Sequence, residues 1–294
     1  MTNVNQYGWK ALVGSAVGYA MDGFDLLILG FMLSAISADL NLTPAQSGSL
    51  VTWTLIGAVV GGILFGALSD RYGRVRVLTW TIVLFAVFTG LCAIAQGYWD
   101  LLIYRTIAGI GLGGEFGIGM ALAIEAWPAK HRAKAASYVA LGWQVGVLAA
   151  ALLTPVLLPH IGWRGMFVVG IFPAFVAWYL RTRLHEPEIF SQKQTALSTQ
   201  KTSKLESFKL LVKDKATTKV SLGIVVLTSV QNFGYYGIMI WMPNFLSKQL
   251  GFSLTKSGLW TAVTVCGMMA GIWIFGRLAD KIGRKPSFLL FQLG

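Results

Sequence analysis

Four ionisable residues interrupt otherwise apolar stretches of this chain: Asp22 and Asp25 in one, Arg105 and Glu115 in another. An ionised side chain at the centre of a bilayer span costs about 2.5–3.5 kcal/mol on insertion scales, so its presence points to function. Asp22 and Asp25 stand three apart, which places them on one face of a helix. Two neighbouring carboxyls away from bulk water raise one another's proton affinity. A site that takes a proton on one side of a membrane and releases it on the other needs that property, and Glu115 is the third candidate for it. Arg105 carries a planar fork that binds a carboxylate bidentately. It is a candidate for holding a substrate acid, or equally for a structural pair with Asp25 or Glu115. Glu115 lies about 15 Å further along a helix, which speaks against a direct bond to Arg105. Gln231, Asn232 and Tyr235 form a second polar set, at helical spacing, able to hydrogen-bond hydroxyls or amides of a substrate.

Nothing in the sequence supports catalysis. Cys92 and Cys266 lie in separate apolar runs, as buried free thiols do, and His131, His160 and His185 lack paired-ligand spacing. Neither a metal nor a cofactor is expected. The run Gly109, Gly111, Gly113, Gly114 and Gly117 follows no strand, so it reads as a helix-packing surface rather than a nucleotide loop. Gln144 is a lone polar residue, suited to helix packing or to ligand contact.

The elements that hold these residues are set by composition. Of 294 residues, 55% are hydrophobic and 12% charged, with a mean hydropathy of +0.64. That is too apolar for one water-soluble core, and an all-α membrane protein in a lipid bilayer is expected. A net charge of +12 raises nucleic acid as a partner, but the basic residues fall between apolar runs rather than on a soluble face. No nucleic-acid partner is expected. Stretches free of Asp, Glu, Lys and Arg, with two charge-interrupted runs, give about eight full helices: 11–36, 48–69, 77–96, 98–125, 136–158, 164–183, 218–246 and 257–277. Part of a ninth begins near Pro286. Placing the N-terminus in the cytoplasm puts most of the 24 Lys and Arg residues there, as the positive-inside rule asks. Trp241, near a helix end, reads as an interfacial anchor. The polar stretch 185–216 divides the chain into a six-helix bundle (1–184), a cytoplasmic linker and a partial second bundle (217–294).

Gly66, Leu68, Asp70, Gly73 and Arg74 form a pattern that Gly276, Leu278, Asp280, Gly283 and Arg284 repeat in the same loop of the next half. Two copies six helices apart indicate parallel structural repeats. Both segments resemble the signature loop of the major facilitator superfamily, between helices 2 and 3 and helices 8 and 9. Gly66 would let helix 2 approach a neighbour closely, Asp70 would complement a helix N-terminus, and Arg74 would pair with a carboxylate, Glu125 being the candidate. By the same resemblance Asp280 should meet the start of helix 5, near Lys134 to Ser137, and Asp70 a later helix. These contacts would act as gating latches.

A narrower resemblance runs through Asp22-Gly23-Phe24-Asp25, Arg105 with its glycine run to Glu115, Glu125-Ala126-Trp127-Pro128 and Gly162-Trp163-Arg164. It is to sialate and other organic-acid–proton symporters, with aromatic-acid symporters second. It implies proton-coupled symport of a small organic acid anion across the cytoplasmic membrane, with no enzymatic activity. A non-transporting sensor, or an inactive truncated fragment, is the alternative. Members of the superfamily have twelve helices, so a C-terminally truncated chain is expected, with helices 7 and 8 held loosely.

Overall fold

The computed structural model describes residues 6–182 and 212–293. Every regular element in them is helical: α1 Gln6–Asp39, α2 Pro44–Tyr72, α3 Arg74–Cys92, α4 Tyr98–Glu125, and a helical run Arg132–Thr182. The second segment holds Lys215–Leu250, Leu254–Ile282 and Arg284–Leu293. The linker expected over 185–216 lies outside the described residues, apart from 212–216.

The run Arg132–Thr182 is two helices. Gly162 breaks it with φ 65° and ψ 178°, and the packing on α1 shows that the chain reverses there. Before the break, Gly142 sits on Ala16 and Gly146 on Ala20, so this arm runs parallel to α1. After it, Trp163 meets Asp39 and Gly170 meets Ile28, so that arm runs antiparallel. The arms 132–161 and 163–182 are therefore α5 and α6, and the later helices are α7 (Lys215–Leu250), α8 (Leu254–Ile282) and α9 (Arg284–Leu293). Seven helices among the described residues are long and apolar enough to cross a membrane, with the run through Gly162 counted once.

Local chemistry explains the helix starts. Pro44 opens α2 behind a reciprocal capping box between Thr43 and Gln46. Asp214 and Ser253 cap α7 and α8 by accepting from the amides of Thr217 and Lys256. Between α2 and α3 the break falls on Gly73, at φ 101° and ψ 149°. Between α8 and α9 it falls on Gly283, at φ 95° and ψ 158°. The two copies of the repeat thus use one backbone shape, open essentially to glycine alone.

α1 is the central post: Leu26, Leu27, Ile28 and Leu29 are all at most 1% exposed in succession. A helix buried on all sides belongs in a bundle interior. α2 and α4 run parallel along a seam of small residues. A Cβ on Gly57 or Gly61 would strike carbonyls of Thr106 and Ile110, and one on Gly109 or Gly113 would strike those of Thr54 and Ala58. Such close approach of backbones, driven by packing rather than hydrophobicity, is how helices associate in lipid. Gly117, by contrast, faces open space. The outer surfaces of α2, α3 and α6 expose Val59, Ile63, Val87 and Phe172, the apolar belt of a multi-pass membrane protein.

α8 departs from the expectation of loose attachment. It lies antiparallel along the whole of α5, with Gly258 on Ala151 and Pro155, Met268 on Gln144, and Gly276 on Ser137. The small residues at both ends let the backbones close, and that holds it. α7 meets α1 where Gly30 faces the Ile240 carbonyl, but Phe233 on its outer side is 84% exposed. Cys266 is exposed rather than buried, because the α8 face that carries it turns away from α5.

Candidate functional site

Arg105, on α4, and Asp25, on α1, meet in the middle of the bundle. Arg105 Nη1 donates to Asp25 Oδ1 at 3.0 Å and Nη2 to Oδ2 at 2.8 Å. Both residues are fully buried. The guanidinium lies over the Phe167 ring, 5.7 Å from its centroid, a cation–π contact strengthened by desolvation. Its Nε has no partner among the described residues. Of the alternatives open for Arg105 in the sequence, its partner here is Asp25 and not Glu115.

Asp22 and Glu115 are buried as well but lie in a second grouping. Both border Tyr19: Asp22 lies one turn further along α1, and Glu115 immediately precedes Phe116 on α4. Tyr19, one turn before Asp22, donates its hydroxyl hydrogen to the Phe116 carbonyl. The three acids therefore do not form one cluster: Asp25 is neutralised by Arg105, whereas Asp22 and Glu115 flank a tyrosine.

A cleft of about 650 Å³ opens between α2, α4 and α7. Aromatic rings of Phe116, Phe233, Tyr236 and Trp241 line it, with polar groups from Thr52, Thr228, Ser229 and Asn232. None of its lining residues is charged. The α7 set expected from the sequence divides. Asn232 lines the cleft, with its amide donating back to the Thr228 carbonyl at 2.9 Å. Tyr235 is half-buried and turns to α5, where Trp143 Nε1 donates to its hydroxyl at 2.7 Å. Gln231 is exposed and does not line the cleft. The cleft takes the face of α7 that carries Ser229, Asn232, Phe233 and Tyr236, and Gln231 and Tyr235 project from the adjoining face. Trp241, expected as an interfacial anchor, is 40% exposed and stands over Gly48 at the cleft rim.

Sequence reasoning missed Trp143, Tyr19 and Phe116, which join Tyr235 and Tyr236 of α7. Their ring centroids are 4.8–6.5 Å apart in a connected chain: Tyr19–Phe116, Phe116–Trp143, Trp143–Tyr235 and Trp143–Tyr236. Tyr19 could have been found from its three-residue spacing to Asp22. An aromatic within an apolar run carries no comparable signal.

The two signature loops behave differently. Arg74 pairs with Glu125 at 2.8 Å, with side chains 16% and 30% exposed. Asp280 Oδ2 accepts from the Lys134 backbone amide at 3.1 Å, at the first turn of α5, and Gly276 is held against Ser137. Asp70 is exposed and has no partner among the described residues. Gly66 has nothing within 4 Å of where a Cβ would be, so the close approach expected of it is not made among these residues. Arg284 is exposed.

Apolar helices crossing a bilayer around a buried ion pair, with a repeated loop at one end, define a polytopic membrane transporter. The chain belongs to the Major Facilitator Superfamily, which it matches over residues 15–294. It is 90% identical to a Haemophilus influenzae protein assigned by name to metabolite transport, over the whole of this chain and 73% of that one. It is 32% identical to the cis,cis-muconate transport protein of Acinetobacter baylyi, covering 100% of this chain and 71% of that one. A solved structure of the proton:xylose symporter XylE shares the fold at TM-score 0.74 and 20% identity, covering 96% of this chain and 71% of that one.

Proposed function

We propose that this transporter carries a small organic acid anion together with a proton, and that Arg105 and Asp25 are where the two are linked. The fully buried, doubly bonded Arg105–Asp25 pair is the observation that carries the reading. A guanidinium this far from water cannot stand alone, because an unpaired buried charge costs several kcal/mol. If Asp25 takes a proton, its hold on Arg105 weakens, and the fork becomes available to a substrate carboxylate of the same geometry. When the substrate leaves, Arg105 returns to Asp25 and the proton departs. Loading proton and anion together keeps the buried charge balanced throughout, whereas loading either alone does not. Asp22 and Glu115, beside Tyr19, would pass the proton, and Asn232 and Tyr235 would contact the polar end of the substrate. Gln231 is exposed and faces neither the cleft nor α5.

The helices α1–α6 form the N-terminal bundle over 1–184, the stretch 185–216 links it to the helices from 217 onward, and the N-terminus faces the cytoplasm across the inner membrane. Lys10, Arg71, Arg74, Arg76, Arg132, Lys134, Arg277, Lys281, Arg284 and Lys285 all belong to the end that carries both signature loops, in keeping with the positive-inside rule. At that end Arg74–Glu125 and Asp280–Lys134, with Gly73 and Gly283 shaping the turns, would act as latches between conformations. Asp70 and Arg284 would join them in another state. The relatives named for muconate and for sialic acid both name carboxylic acids, which supports an anionic substrate.

The test is equilibrium binding of labelled cis,cis-muconate, N-acetylneuraminate and nicotinate to the purified chain across pH 5–8. At least one should bind, more tightly as pH falls, with a neutral sugar of similar size binding more weakly. Tighter binding of the sugar than of any acid would remove the anionic substrate, and pH-independent binding would remove the proton link.

A further inference from the structure

The Trp143–Tyr235 hydrogen bond lies outside every role assigned so far. Trp143 is on α5, Tyr235 on α7, and the bond is a short 2.7 Å. An indole N–H can only donate. The tyrosine oxygen is therefore the acceptor, and its own hydrogen has to point elsewhere. Gln144, the next residue on α5, is turned to α8, its amide nitrogen 3.8 Å from Met268 Sδ.

Trp143 is well fixed for this purpose. It is 6% exposed. Gly23, between the two aspartates of α1, packs against its backbone and ring, where a Cβ would collide. The edges of Phe116 and Tyr236 close on the indole at 5.3 and 6.4 Å between centroids. Phe116 and Tyr236 also line the cleft, so the indole is braced from behind the cleft wall.

We propose that Trp143 is a substrate-positioning residue: it occupies the acceptor side of the Tyr235 hydroxyl and so commits that hydroxyl to donate to an oxygen of the transported acid. This rests on the organic-acid reading above and adds a directed donor to it. The acid's second oxygen-bearing group, a carboxylate or carbonyl remote from Arg105, is the chemistry that such a donor recognises. Tyr235 touches the substrate, and Trp143 acts through Tyr235.

The test is a double-mutant cycle on the purified chain, using the tightest-bound of muconate, N-acetylneuraminate and nicotinate as probe. Trp143→Phe keeps a ring but removes the donor, and Tyr235→Phe removes the hydroxyl. Each should weaken binding about tenfold, the scale of one hydrogen bond to a charged group. The double variant should be no weaker than either single one, because both break the same relay. A purely structural role for Trp143 would lower the thermal midpoint and leave the two losses additive. Trp143→Leu serves if Trp143→Phe does not fold. Additive losses, or a variant that binds like the parent, overturn the proposal and leave the organic-acid reading standing. Failure of the parent chain to bind any of the three acids overturns that reading, and the proposal with it.

Discussion

Arg105 and Asp25, eighty positions apart in the chain, share two parallel hydrogen bonds of 3.0 and 2.8 Å with neither side chain in contact with solvent. Within a low-dielectric bundle such a pair is tightly held once formed, yet it contributes little net stability against an apolar replacement. Net folding stability therefore does not account for the pair.

That asymmetry is measurable. Arg105→Ala or Asp25→Ala leaves one buried charge without its partner and should lower stability by about 3–5 kcal/mol. Replacing both, as Asp25→Leu with Arg105→Met, should recover most of the loss while abolishing substrate binding. Thermal unfolding of the purified variants reads the first effect. A double variant as unstable as the sum of the singles would contradict a simple paired charge.

The glycines of the two signature loops should separate into two kinds. Gly73→Ala and Gly283→Ala force a side chain into a backbone shape at φ near 100°, and each should cost about 1–3 kcal/mol. Gly276→Ala should also destabilise, since its Cβ would meet Ser137. Gly66→Ala meets nothing among the described residues and should be neutral, or stabilising by up to about 1 kcal/mol. Equal losses at Gly66 and Gly276 in thermal unfolding would show that the two loops are held alike.

Arg74 and Glu125 are partly exposed, so their coupling should be small. A double-mutant cycle with Arg74→Ala and Glu125→Ala should give about 0.2–1 kcal/mol, shrinking in concentrated salt. A coupling that salt does not touch would mean that the pair is sealed from solvent in the dominant state.

Asp214 supplies a pH dependence outside the membrane. The Thr217 amide, and then its hydroxyl, hold the Asp214 carboxyl below its ordinary 3.8. A depressed carboxyl contributes stability that is present above the ordinary value and lost as pH falls through the lowered one. Amide exchange in the first turn of α7 should therefore be protected near neutrality and lose that protection only below the usual carboxylate range. Asp214→Ala should remove it at every pH, and an unchanged exchange rate in that variant would show that the cap does not hold the turn.

Much of this was legible from residue type and spacing. Charges within apolar runs marked Asp22, Asp25, Arg105 and Glu115, and all four are buried. The repeat at Gly73 and Gly283 marked two turns, and both adopt the same rare backbone. What could not be read was pairing. The choice of Asp25 over a substrate as partner for Arg105 depends on how α1 and α4 rotate against each other, and no local pattern encodes that rotation. Gly66 and Gly276 carry one motif but different surroundings, because close approach belongs to the neighbour as much as to the glycine. Trp143 was hidden for a similar reason: within a span an aromatic facing lipid and one facing a hydroxyl look the same in sequence.

The proposed Arg105–Asp25 exchange loads an anion and a proton together. The most direct measurement is the number of protons taken up when the acid binds, from calorimetric titrations of the purified chain in two buffers of different ionisation heat. Near neutral pH about one proton should enter with each anion, and the Asp25→Asn variant should bind with none. Anion binding by the parent chain with no change in bound protons would contradict the account.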